Sequence, residues 1–282
     1  RAGISEDSVM RQAGKCLAKK ILQLTGLGES ILLLAGKGNN GADLRIAAEG
    51  LPDRKVSLVN VDSPDKSMEE IGICLSGRPD LVVDGLFGIG LNRPLGVDWI
   101  ELIEKINRSE IPVLSVDCPS GLDANTGESR GTAVRARKTL ALGAPKIGLV
   151  DDRASQFVGS LLVAPNIGLI DDTPESDLYW LTDADSLGLI ARRAPNLHKG
   201  SFGHLSIIAG STGYHGAAVL SGEAALRANP GLISVYTKAY LPVASHLKST
   251  MVYPWGDECV EALSKSTAIL IGPGLAGLDV DD

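Results

Sequence analysis

The chain has 282 residues, roughly twice the size of a typical single domain, so two domains are expected. Hydrophobic residues at 44% and charged residues at 22% exclude a disordered or collagen-like protein, and a net charge of −7 leaves no basic footprint for a nucleic acid or an anionic bilayer. Cys16, Cys74, Cys118 and Cys259 are scattered without paired spacing, and no two histidines have zincin spacing, so neither a disulfide frame nor a zinc site is expected.

Glu6 and Asp7 suit the positive start of a helix whose apolar positions Val9, Ala13, Cys16, Leu17, Ile21 and Leu24 recur at helical spacing before Gly26. Residues 31–35 form an apolar run of strand length, followed by a glycine-rich loop and then by Leu44, Ala47, Ala48 and Leu51 on one helical face. The pattern repeats: a strand at 56–61, a helix through Met68, Ile71 and Leu75, a strand at 81–83, a helix through Ile100, Ile103 and Ile106, and a strand at 112–116. Alternating strands and helices with short links require right-handed crossovers, and hence a mainly parallel sheet covered on both faces. The fold class is α/β, a Rossmann-like doubly wound sheet. Past the turn-rich 119–131, strands at 138–143 and 160–164 extend that sheet, and the first domain runs over 1–172. The acidic, Pro-containing stretch 171–177 reads as a linker. A second, partial α/β domain follows over 178–282, with strands at 204–209, 232–237 and 268–271, a loop at 210–216 and a helix at 217–228. No apolar run approaches a membrane span, and a cytoplasmic homo-oligomer without nucleic-acid or membrane partners is expected.

Three loops carry candidate chemistry. Gly36-Lys37-Gly38-Asn39-Asn40-Gly41 stands between a strand and a helix, where glycines let backbone amides approach a phosphate at the helix start. Asp62 ends the second strand about twenty residues on, where a ribose-binding acid would stand. Asn39, Asn40 and Asp43 add oxygen-bearing side chains that suit a hard cation, or in the case of Asp43 a helix cap. Asp84 opens the loop after the third strand and Asp117 the loop after the fourth. Both leave the carboxyl edge of the sheet, where open parallel sheets bind ligands, so the acids should converge beside the glycine-rich loop.

The set GKGNNGAD, VDGLFGIGLNRP and VDCPSGLDANTG, in this order and spacing, resembles the YjeF N-terminal family, the NAD(P)HX epimerases. The later HKGSFGHLSIIAGS, the segment 213–218 and Gly272-Pro273-Gly274-Leu275 resemble the start of the ADP/ATP-dependent NAD(P)HX dehydratases, which have a ribokinase-like fold. Their tandem order resembles the bifunctional NAD(P)H-hydrate repair enzymes. The resemblance implies epimerisation of R- and S-NAD(P)HX by the first domain, and dehydration of S-NAD(P)HX with ADP or ATP as phosphoryl donor by a full-length second domain. It implies that Asn39, Asn40, Gly41, Ala42 and Asp43, and Gly88, Ile89, Gly90, Leu91, Asn92, Arg93 and Pro94, line the substrate together with Asp117. It implies further that Ala217 and Gly274 line substrate in the second domain and that Asn40, Asp84 and Ser120 bind potassium. Asp117 is the expected general acid/base, because R and S hydrates interconvert only if the hydroxyl-bearing centre is broken and remade. Lys146 either assists it or is an ordinary solvated lysine. The family pattern GNNGGDG differs here at Ala42 and Leu44. The kinase-like catalytic Gly-Asp segment has no counterpart in the 282 residues, so the second domain is expected to be C-terminally incomplete. The alternatives are an NAD-dependent oxidoreductase, on Asp62 and the 36–41 loop but without a Tyr-x-x-x-Lys pair, and a non-catalytic nucleotide-binding protein.

Overall fold

The computed structural model of the chain describes residues 5–168, 178–182, 185, 196–257 and 259–276. It divides into two units, Arg1–Trp180 and Leu181–Asp282. The expected domain end at 172 and the linker 171–177 lie outside the described residues.

In the first unit the Ser5 hydroxyl accepts the Ser8 amide at 3.2 Å and caps α1 (Glu6–Leu24). β1 (Ser30–Ala35) is apolar and buried from Ile31 onward because both of its faces are covered. Ile31, Leu33 and Ala35 pack with α1 and α2 (Asn39–Glu49). Leu32 and Leu34 pack with α3 (Pro64–Ser76) and α4 (Val97–Arg108). With β2 (Lys55–Asn60), β3 (Leu81–Gly85), β4 (Val113–Val116), β5 (Lys138–Leu142) and β6 (Ser160–Ala164), β1 forms a six-stranded parallel sheet in the order β2-β1-β3-β4-β5-β6. This is the doubly wound α/β sheet read from the sequence. The chain reverses its direction of travel across the sheet between β1 and β3, and a crevice opens beyond their carboxyl ends. A smaller core of Cys118, Leu122, Ala133, Ala141 and Phe157 lies under the 119–131 loop and the short α5 (Ser155–Val158).

Helix α2 starts five residues before Leu44, with Gly38 as its N-cap, so Asn39, Asn40 and Gly41 are already helical. Apolar spacing marks a helix's buried face and is silent about a first turn that looks into a cavity.

The second unit holds β7 (His204–Ile208), α6 (His215–Ala228), β8 (Leu232–Thr237), α7 (Tyr240–His246), β9 (Met251–Pro254), α8 (Cys259–Leu263) and β10 (Ala268–Ile271). Its strands are parallel in the order β10-β7-β8-β9 over a core that includes Ile207, Ala218, Val235 and Val243. The sequence reading lacked α7, β9 and α8. β9 is largely exposed, and the helices have 7 and 5 residues, too few to show a period.

Candidate active site

The loops after β1, β3 and β4 meet at one cavity of about 930 Å³. Lys37, Gly38, Asn39, Asn40 and Asp43 line it from the first, residues 86–93 from the second and Asp117 from the third. Asp62, just after β2, shares the same wall. The glycines of the first loop divide the work. A Cβ on Gly36 would lie 2.0 Å from the Leu86 carbonyl oxygen, and one on Gly41 would lie 1.9 Å from the Gly36 carbonyl oxygen, so both allow backbone segments to touch. A Cβ on Gly38 would meet nothing within 4 Å, which leaves that side of the helix start open to a ligand.

Asp117 adopts φ 64°, a left-handed backbone that is uncommon for a residue with a side chain and typical of functional turns. The turn is held by the Asp117 amide donating to the Leu140 carbonyl at 2.8 Å and the Cys118 amide donating to the Val116 carbonyl at 2.7 Å. Asp117 Oδ1 accepts the Leu142 amide at 2.9 Å and pairs with Lys146 Nζ, which also donates to the Leu142 carbonyl at 2.9 Å. Lys146 is thus anchored against Asp117 and is not a freely solvated lysine. Burial, with the charges of Asp117 and Asp84, pushes the Cys118 thiol up to about 12, so it holds its proton and is a poor nucleophile.

Asp43 lines the cavity from α2 and is only 4% exposed. Its Oδ1 is buried with no hydrogen-bond partner among the described residues. Burial, reinforced by the Asp117 charge, raises its carboxyl to about 7.

Asp84 is fully buried beneath this wall. Its Oδ2 accepts the Ser115 hydroxyl at 2.8 Å and the Ser120 amide at 2.9 Å, and its Oδ1 accepts the Ser120 hydroxyl at 2.5 Å and the Leu86 amide at 3.3 Å. Burial pushes its carboxyl up and the hydrogen bonds from Ser120 and Ser115 oppose that. Ser120 Oγ also accepts the Phe87 amide at 2.9 Å, and Asn40 Nδ2 donates to the carbonyls of Phe87 and Val116 at 2.9 and 2.7 Å. Asn40, Asp84 and Ser120 therefore belong to one continuous network that ties the three loops together.

Of the expected substrate-lining residues, Gly41, Ala42 and Pro94 are not on the cavity wall. Gly41 faces the backbone of Gly36, and Leu44, one turn on from it, is fully buried with its Cδ1 2.4 Å from where a Gly85 Cβ would lie. The bulk that departs from the family pattern thus packs in the core, away from the cavity. In the second unit Ala217 and Gly274 are neighbours, since a Cβ on Gly274 would come within 2.9 Å of the Ala217 Cβ. Gly274 has φ 67°, and its carbonyl accepts the Ser211 hydroxyl at 2.8 Å. The sequence reading missed Val9, Met10 and Ala13 of α1 and Trp99 of α4 on the wall of the main cavity. No local motif marks them, because they arrive there only through tertiary packing.

A cavity at the switch point of a doubly wound parallel sheet, floored by an open glycine-rich helix start, stands where open α/β sheets bind their ligands. Residues 54–148 match the family described as YjeF-related protein N-terminus, and residues 205–279 match the family described as NAD(P)H-hydrate dehydratase. An NAD(P)H-hydrate epimerase of Achromobacter xylosoxidans is 40% identical over 47% of this chain and 73% of its own length. One of Lentilactobacillus buchneri is 33% identical over 58% of this chain and 85% of its own length. A bifunctional NAD(P)H-hydrate repair enzyme of Coxiella burnetii is 32% identical over 99% of this chain and 62% of its own length. The chain belongs to the NAD(P)H-hydrate epimerase family. It spans about three fifths of the length of the bifunctional relatives, at 62% and 59% for two of them.

Proposed function

We propose that the first unit interconverts the R and S hydrates of NADH and NADPH, and that the second belongs to a dehydratase half that removes water from the S hydrate with ADP or ATP as phosphoryl donor. The observation that carries the first part is the gathering of three separate loops around one cavity with Asp117 on its wall. The hydrated dinucleotide lies across the carboxyl edge of the sheet. Its pyrophosphate faces the open Gly38 side of the helix start, and its reacting ring meets Asp117. The Asp117 carboxylate exchanges a proton with the hydroxyl being broken and remade, and Lys146 holds it in place. For the second unit, Ala217 and Gly274 line the site for the hydrate.

The donor set of Asn40, Asp84 and Ser120 fits a monovalent cation. It offers oxygens only, and its single carboxylate is fully buried without an ion pair among the described residues. When bound, potassium supplies positive charge beside that carboxylate and locks the three loops together.

The test is the R-to-S ratio of a purified hydrate, followed with and without protein. Accelerated equilibration supports the reading, and an unchanged rate refutes it. Turnover of a carbonyl or alcohol with the intact nicotinamide cofactor would instead favour the oxidoreductase reading, for which Asp62 on the cavity wall is the motivating residue.

A further inference from the structure

The cavity holds two carboxyl groups in opposite circumstances. Asp117 is anchored by a lysine and a backbone amide on the same oxygen. Asp43 is more deeply buried, faces the same cavity, and leaves Oδ1 without a donor among the described residues. A buried carboxyl oxygen without a donor is costly as an anion and inexpensive as an acid. Other ionisable groups on the cavity wall are Lys37 beside it in the loop, Asp62 after β2, Arg93 in the loop after β3 and Asp117 after β4, while α1 contributes only Val9, Met10 and Ala13. Among the described residues no cation pairs with Asp43, and the one lysine held at the reacting end is paired with Asp117.

We infer that Asp43 is a second catalytic residue of the epimerase: a carboxylic acid that delivers a proton to the departing hydroxyl while Asp117 takes one from the water that returns. The inference rests on the epimerase reading of this cavity. Epimerisation needs a group to expel the hydroxyl from one face and a group to guide water onto the other. Two carboxyls, one left without a hydrogen-bond donor among the described residues and one paired with a lysine, supply both roles.

The step balances. Asp43 gives its proton to the hydroxyl oxygen as the carbon–oxygen bond breaks and water leaves. The lone pair of the adjacent ring nitrogen forms a carbon–nitrogen double bond, and the carbon becomes planar with the positive charge shared onto nitrogen. A water then adds to the opposite face, its proton passes to Asp117, and the double-bond pair returns to nitrogen. The protons on the two carboxyls are exchanged at the end of the step, which leaves the site set for the reverse reaction, and solvent restores the starting form. The titration of Asp43 at about 7 agrees with a group that is still partly protonated at neutral pH.

The experiment compares the full chain with its Asp43→Asn form, an isostere that keeps the shape of the side chain and removes the acid. Three quantities are read: the rate of hydrate equilibration, the incorporation of ¹⁸O from labelled water into the hydrate, and KM. The expected result is a fall in kcat and in ¹⁸O incorporation together, by at least about 100-fold, with KM little changed. A merely structural role would move KM and leave the ¹⁸O incorporation per turnover unchanged. A variant within about threefold of wild type in kcat overturns the inference while leaving the epimerase reading intact. A second measurement is independent of turnover: the carboxyl carbon of Asp43, labelled with ¹³C, is titrated by NMR. A midpoint near 4 overturns the inference whether or not the hydrates react. A wild-type chain that does not accelerate equilibration overturns both.

Discussion

At the scale of single residues, the site was legible where a side chain's chemistry is local to its loop. Asp84 and Asp117 stand at strand ends where the strand pattern put them, but only Asp117 reaches the cavity wall, while Asp84 is fully buried beneath it and ties the loops together. Lys146 was ambiguous because its partner lies 29 residues away in sequence, a separation that no local pattern reports. Asp117→Asn keeps the size of the side chain but weakens the pairing with Lys146 and removes the proton acceptor. Epimerisation should fall by about 10²–10⁴-fold while the variant still binds ADP-ribose, as isothermal titration can check. Asp84→Ala should lower the activation by potassium over sodium, read as rates in buffers of matched ionic strength; equal rates of wild type in both ions would refute the cation site. Asp43 gives a stability prediction of definite sign. Its folded-state carboxyl titrates at about 7 against 3.8 for the unperturbed group, so the folded protein binds the extra proton between these values. The contribution is fully present below pH 4 and is lost as pH rises through 7. Asp43→Asn should therefore be more stable than wild type by about 1–3 kcal/mol at pH 8 and no more stable at pH 4, by urea unfolding at each pH.

At the scale of elements, the strands and long helices of the first unit could be read because burial on two faces leaves continuous apolar runs and burial on one face leaves a helical stripe. The first turn of α2 was not readable in this way, since Gly38, Asn39 and Asn40 face the cavity rather than the core. What the sequence did carry there was glycine at 36, 38 and 41, and the structure separates Gly36 and Gly41, which allow backbone contact, from Gly38, which faces open space. Gly41 is the most constrained, with the Gly36 carbonyl oxygen 1.9 Å from a would-be Cβ and the Gly36 carbonyl carbon at 2.7 Å. Both are backbone atoms of the same loop, and no side-chain rotation relieves the clash. Gly41→Ala should destabilise the first unit by about 3 kcal/mol or more and distort the cavity, whereas Gly38→Ala should leave stability within about 1 kcal/mol of wild type. Urea midpoints of the two variants, compared with their affinities for ADP-ribose, separate a folding role from a ligand-approach role: Gly38→Ala should lose affinity without losing stability.

At the scale of the whole molecule, length and alternation pointed to two α/β bodies, with the acidic, Pro-containing stretch 171–177 read as the join, and the chain divides into two units at Trp180 and Leu181. The two units have separate cores. Leu33, Leu44 and Val83 belong to one, Ile207, Val235 and Val243 to another, and each surrounds its own parallel sheet. Every residue on the wall of the main cavity falls between Val9 and Ile167, inside the first unit. The hydrogen bonds that position Asp117, Asp84 and Asn40 also start and end there. A site whose lining and supporting bonds are supplied by one body needs nothing from the other to keep its geometry. A chain ending at Trp180 should therefore fold and equilibrate R and S hydrates with a kcat/KM within about threefold of the 282-residue chain, checked by the same ratio assay on both proteins. Loss of activity in a shortened chain that still melts cooperatively would show that the second unit contributes to the epimerase site, and would replace this picture of two independent bodies with one of a shared machine.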